Sequence, residues 1–67
     1  MTATFINKQY DGRLYYHDLI FSDDSGNLLL RLGGVIFNNE PSRQDYIDRA
    51  TEIAELNFSN YELTLIN

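Results

Sequence analysis

One apolar run, Asn27–Phe37 (NLLLRLGGVIF), limits what this chain can become. At a two-residue period, Leu28, Leu30 and Leu32 fall on one side and Leu29 and Arg31 on the other. The run is predicted to be the central β-strand, with the leucine side against the core. Gly33-Gly34 breaks the alternation and is expected to form a bulge or sharp bend, after which Val35-Ile36-Phe37 continues the strand.

The rest of the chain arranges itself around that strand. Thr2 to Tyr10 is rich in β-branched and aromatic residues and is expected to be a first strand. Asp11-Gly12 follows, a strong signal for a tight hairpin of type I′. A second strand is expected over Arg13 to Ser22. Its two faces, Leu14/Tyr16/Asp18/Ile20 and Tyr15/His17/Leu19/Phe21, are both apolar enough to face a core, so sequence leaves the choice open. Asp23-Asp24-Ser25-Gly26 is a second turn.

After the loop Asn38–Pro41, Ser42 and Asp45 stand at capping-box spacing, with Asp where Glu or Gln is usual. A helix is predicted over 43–56, with Tyr46, Ile47, Ala50, Ile53 and Ala54 as its apolar stripe. Phe58 is expected to tuck under the turn that follows. Tyr61 to Leu65 alternates cleanly and is expected to be a last strand burying Tyr61, Leu63 and Leu65. The expected architecture is α+β: a small two-layer β-β-β-α-β domain, residues 1–67, with a mostly antiparallel four-stranded sheet and one helix packed on one face. The opposite sheet face would be open, carrying some of Tyr15, His17, Leu29 and Arg31.

Sixty-seven residues suffice for one small core, and there are no cysteines to staple it. The lack of cysteine suits a reducing compartment, and MTATFINK lacks the apolar core of a signal peptide, so a cytoplasmic location is expected. No run is long enough to span a membrane. The net charge of −5 is uneven: residues 1–34 hold three cations against four carboxylates, and residues 35–67 hold two against six. Such a surface repels phosphate backbones and membrane faces and favours basic protein partners.

Candidate chemistry is sparse. His17 is the only histidine, and Asp18 beside it points to the other side of a strand, so the two are not a base and its orienter. Asp23-Asp24-Ser25-Gly26-Asn27 offers oxygen ligands, but an EF-hand loop needs a glutamate six residues after the glycine, where Leu32 stands. Gly33-Gly34 lacks the lysine of a phosphate loop. The strand around Val35 lacks the stacking aromatics of an RNA-recognition motif. No cofactor or metal is called for.

Two features point to protein binding instead. Asp45, Asp48, Glu52 and Glu55 line one side of the predicted helix, and Glu40 and Glu62 are candidates to extend the patch. The five tyrosines exceed what so small a core can bury, and Tyr15 and Tyr46 are the candidate contact residues.

The segment Phe21 to Glu55, with its Asp-x-x-Gly turn, strand arginine and capped helix, resembles the hairpin-then-helix unit of small YegP-like domains. It is also similar to the three-stranded arm-binding domain of phage integrases. The latter resemblance implies DNA binding, which requires a basic sheet face that this chain lacks. In size and acidity the chain resembles small phage-encoded inhibitors, among them host RNA polymerase inhibitors and anti-CRISPR proteins. That resemblance implies a protein that blocks a basic, nucleic-acid-handling machine without chemistry of its own. The expected function is therefore a non-catalytic inhibitor or adaptor docking through Asp45, Asp48, Glu52, Glu55, Tyr15 and Tyr46. The alternatives are a self-assembling homodimeric module and a small metal- or histidine-dependent enzyme.

Overall fold

The computed structural model describes residues 1–66. They form strands β1 (Thr2–Tyr10), β2 (Tyr15–Ser22) and β3 (Leu28–Phe37), helix α1 (Arg43–Asn57) and a short strand β4 (Thr64–Leu65). The α+β class and the β-β-β-α-β order are as expected. One sheet results, in the order β3-β2-β1-β4. The β1–β2 and β2–β3 pairs are antiparallel, and β4 runs parallel to β1.

The order corrects the reading of Asn27–Phe37 as a central strand. Two successive hairpins place β2 between β1 and β3, and β4 returns to the free side of β1, so β3 is left at an edge. Its apolar run is covered only in part. Val35 and Phe37 are buried and Leu30 and Leu32 pack on the core, whereas Leu28, Leu29 and Ile36 are exposed. Leu28 therefore leaves the core side that alternation assigns to it.

The Asp11-Gly12 hairpin forms, but not as a type I′ turn, which needs positive φ at both central residues. Among the described residues, only Asn7 and Asn60 combine a side chain with positive φ, so Asp11 does not supply it. Gly12 does, at φ 100°. The Asp11 carboxylate closes the turn instead, its Oδ1 accepting from the Arg13 and Leu14 amides at 2.8 Å each. Arg13 and Leu14 thus belong to the turn, and β2 begins at Tyr15.

Neighbouring strands settle the core side of β2. Leu19 and Phe21 pair with Phe5 and Ala3 of β1, and directly paired residues share a face. Tyr15, His17, Leu19 and Phe21 consequently point toward α1, and Tyr16, Asp18 and Ile20 point away. His17 is only 3 % exposed and Tyr15 packs against the core, so neither belongs to the open face. Leu29 and Arg31 do.

Two bulges sit at the same level of the sheet. Between Ile6 and Gln9, β1 carries one residue more than β2, and Asn7 takes φ 55° there. Between Leu32 and Val35, β3 carries one more than β2, at Gly33-Gly34, with Gly34 at φ 69°. The second is the bulge the glycine pair predicted.

Helix α1 starts as its sequence dictates. Ser42 Oγ accepts from the Asp45 amide at 3.1 Å, and the Ser42 amide donates to Asp45 Oδ2 at 2.9 Å, completing the capping box. Ala50 and Ala54, fully buried, let the helix axis approach the sheet. Phe58 packs on Phe21 with ring centroids 5.4 Å apart. Tyr61, Leu63 and Leu65 are half-buried on the core, but only Thr64–Leu65 pairs as strand.

Candidate functional site

The four carboxylates singled out on α1 share one strip of surface. At 3.6 residues per turn they fall within about 40° of the direction opposite Ala50, the centre of the buried side. Spaced three, four and three residues apart, they extend about 15 Å along the axis. All four are exposed.

No cation neutralises this strip among the described residues. The ion pairs there join the N-terminal ammonium to Asp24, Lys8 to Glu40 and Arg31 to Asp18. Arg49 turns toward the sheet, donating to the Ile36 carbonyl at 2.8 Å with its guanidinium 4.7 Å from the Phe37 ring centre. Arg43 lies on the other side of the helix, beside Ile47, Leu63 and Leu65. Asp45 and Asp48 have local duties: Asp45 completes the cap, and Asp48 accepts from Gln44 Nε2 at 2.8 Å. Glu55 stands in a last turn with no basic residue, where the carbonyl end of the helix repels a carboxylate. Glu40 is taken up by Lys8, and Glu62 lines a groove with Asp23 and Asp24. Neither is held against the strip.

The tyrosines divide between two places. Tyr10 and Tyr15, a cross-strand pair at the hairpin end, stack with centroids 4.4 Å apart at 23°. Lys8 Nζ stands 5.4 Å from the centre of the Tyr15 ring. Tyr16, on the far face, donates to Asp11 Oδ2 at 2.9 Å. That bond, together with the turn amides, holds the Asp11 carboxyl below its ordinary range, the amides contributing most. Tyr46 is half-buried, and its ring packs on Phe5 and Phe37. It therefore anchors α1 to the sheet, while Tyr10, absent from the sequence assignment, is 57 % exposed.

His17 Nε2 lies 2.7 Å from the Tyr46 hydroxyl. The imidazole stands edge-on to Phe5 and Phe37, and its Nδ1 is buried without a partner. Burial, aided by the nearby Lys8 charge, lowers its pKa from the ordinary 6.5. Both ring nitrogens are thus withheld from solvent, and Asp18 points to the opposite face as strand geometry requires. The Asp23 carboxylate is likewise occupied, accepting from the Ser25 and Asn27 amides at 2.9 and 2.8 Å and from the Asn27 side chain at 3.2 Å.

One constellation escaped sequence reading. Asp18 Oδ2 accepts from Asn7 Nδ2 at 2.8 Å and from the Arg31 guanidinium at 3.1 Å, in the middle of the open sheet face. These bonds hold the Asp18 carboxyl below its usual range, Asn7 first and Arg31 second. A groove of about 540 Å³ runs beside it, lined by Asn7, Lys8, Gln9, Tyr16, His17, Asp18 and Gly34. Arg31 stands diagonal to Asp18 across the β2–β3 pair, and the β1 bulge brings Asn7 to the same side. Alternation alone carries no sign of that bulge.

No protein-family model matches the chain, and comparison with curated proteins and with solved structures gives no match.

Proposed function

We propose that the chain is a non-catalytic protein-binding module that docks the carboxylate strip of α1 onto a basic, nucleic-acid-handling protein, as an inhibitor or adaptor. The observation that carries this reading is a run of four exposed carboxylates with no cation against them, on a helix that gains nothing from their proximity. Like charges three and four residues apart repel, and a carboxylate in the last helical turn opposes the helix dipole. Asp45 contributes to the fold through the cap and Asp48 through its bond from Gln44. Glu52 and Glu55 are better accounted for by a partner than by stability. The regular spacing of the strip along about 15 Å suits a surface built to stand in for a row of phosphates. The Tyr10–Tyr15 stack adds aromatic contact area at one end of the molecule, of the kind that anchors interfaces.

The test is capture of partner from lysate on immobilised protein at low and at high salt, with double-stranded DNA as competitor. The expected partner is retained at low salt, released at high salt and displaced by DNA. Reversing Asp48, Glu52 and Glu55 together, with Asp45 kept to preserve the cap, abolishes capture. Unchanged capture by that folded variant would sink the proposal.

A further inference from the structure

Helix α1 is fastened to the sheet through side chains: among the described residues, no backbone-to-backbone hydrogen bond joins it to a strand. The fastenings fall into two groups. Near the helix start, the Tyr46 ring lies 4.8 Å from that of Phe5 and 5.4 Å from that of Phe37, centre to centre, and Arg49 reaches the Ile36 carbonyl. Near its end, Ala54 is fully buried and Phe58 packs on Phe21. His17 belongs to the first group only. Its ring centre lies 5.1 Å from that of Tyr46, and its Nε2 stands 2.7 Å from the Tyr46 hydroxyl. Among the described residues, this is the one hydrogen bond between a side chain of α1 and a side chain of a strand.

A proton changes that contact. The neutral imidazole carries one N–H, so Nδ1 can stay a bare lone pair while Nε2 donates to the Tyr46 hydroxyl. The imidazolium carries an N–H on both nitrogens, and Nδ1 is buried with no acceptor in reach. Nothing around it supplies a counter-charge. β1 contributes the Phe5 ring and the Lys8 ammonium, which repels a second cation. β3 contributes Phe37, whose other neighbour is the Arg49 guanidinium of α1, 4.7 Å from the ring centre. Glu40, in the loop before α1, is paired with Lys8 at 3.0 Å. On β2 itself, Asp18 points to the opposite face and is paired with Arg31. A buried cation with neither acceptor nor counter-charge is costly, so it persists only where water reaches it. β2 is hydrogen-bonded to strands on both sides, which leaves α1 as the element free to move away.

We propose that His17 and Tyr46 form an acid-sensitive latch: a proton on His17 favours a state in which the first two turns of α1 have left the sheet while its last turns stay seated. The freed stretch carries Asp45 and Asp48, so the latch governs one half of the carboxylate strip, and it operates whether or not that strip docks. Two helical turns without the sheet do not hold their own hydrogen bonds, so the amides of Tyr46–Arg49 report the opening. The test is native-state hydrogen exchange of the whole chain at about pH 7, 6 and 5, corrected for the intrinsic pH dependence of exchange. Protection of those amides should lie below that of the amides joining β1 and β2. It should fall about tenfold between about pH 7 and 5, because the open state takes up the proton first. In His17→Gln, which keeps a polar group near Tyr46 and does not titrate, the fall should vanish. Protection that ignores pH overturns the proposal, since the opening then leaves the imidazole covered. So does protection equal to that of the β1–β2 amides at every pH, which means that only global unfolding uncovers the ring. Amides of Glu55–Phe58 that match Tyr46–Arg49 in level and pH profile refute it as well, because the helix then leaves as a whole. A fall that survives in His17→Gln assigns the proton elsewhere and has the same force; should that variant not fold, the parent profile decides alone.

Discussion

Replacing Glu52 with lysine should make the protein more stable and a poorer binder. Glu52 lies four residues after Asp48 and three before Glu55, so two like-charge neighbours flank it on the same strip. Each such pair costs about 0.2–0.5 kcal/mol, and each opposite-charge pair contributes about as much in the other direction. Glu52→Lys turns two repulsions into two attractions, a change of about 0.8–2 kcal/mol at low salt. The substitution also leaves Asp48 one turn on the N-terminal side of the new cation, which is the favourable order along a helix. Screening at physiological salt reduces the gain to about 1 kcal/mol, which in a domain of this size corresponds to a rise in melting temperature of roughly 4–8 °C. Thermal unfolding followed by circular dichroism reads this directly. Repeating it near 1 M salt, where the screening length is about 3 Å, should remove most of the difference. A melting temperature that stays level or drops at low salt would show that the strip does not repel itself. The case for its retention by a partner would then lose its physical basis.

Three further outcomes are expected. Ser42→Ala removes the Oγ acceptor of the Asp45 amide and should lower stability by about 1 kcal/mol in urea unfolding, whereas Ser42→Asn should lose much less. Gly34→Ala meets no atom within 4 Å, so its cost, about 1 kcal/mol, is that of forcing a side chain to φ 69°; Gly33→Ala, whose nearest contact is an ordinary 3.4 Å to Asp18 Oδ1, should cost less. The third concerns pH. The folded pKa of His17 is depressed below 6.5, so the unfolded chain takes up the proton first as pH falls. Its contribution is full above 6.5 and declines below it, ahead of the losses from Asp11, Asp18 and Asp23, whose carboxyls are depressed from 3.8. The urea midpoint of the parent should therefore fall between about pH 6.5 and 5, and that of His17→Phe should stay flat.

Local chemistry was legible in the sequence. The Ser42–Asp45 box, the Asp23–Gly26 turn and the Gly33-Gly34 bulge each depend on a few adjacent residues, and each stands where its residues put it. The carboxylate strip was legible for the same reason, since helical spacing alone aligns 45, 48, 52 and 55. What the sequence did not disclose depends on neighbours far along the chain. β2 is apolar on both sides, and only its pairing with Ala3 and Phe5 decides that His17 turns inward. The longest apolar run became an edge because β4 joined β1 and not β3. The Asp18–Asn7–Arg31 cluster needs an extra residue inserted in β1 opposite one aspartate and the pairing of three strands.

The parallel pairing of β4 with β1 sets the order in which the chain can assemble. Thr64 and Ile66 donate to the carbonyls of Met1 and Ala3, closing a loop of some sixty residues. Both hairpins and the capped helix draw on contacts much nearer in sequence, so they should form before that loop closes. β4 is then the last piece to seat and the first to leave. In native-state hydrogen exchange, the Thr64 and Ile66 amides should exchange through a local opening while those between β1 and β2 wait for global unfolding. The sheet would thus breathe at the β1–β4 seam, with the carboxylate strip still mounted on an intact helix.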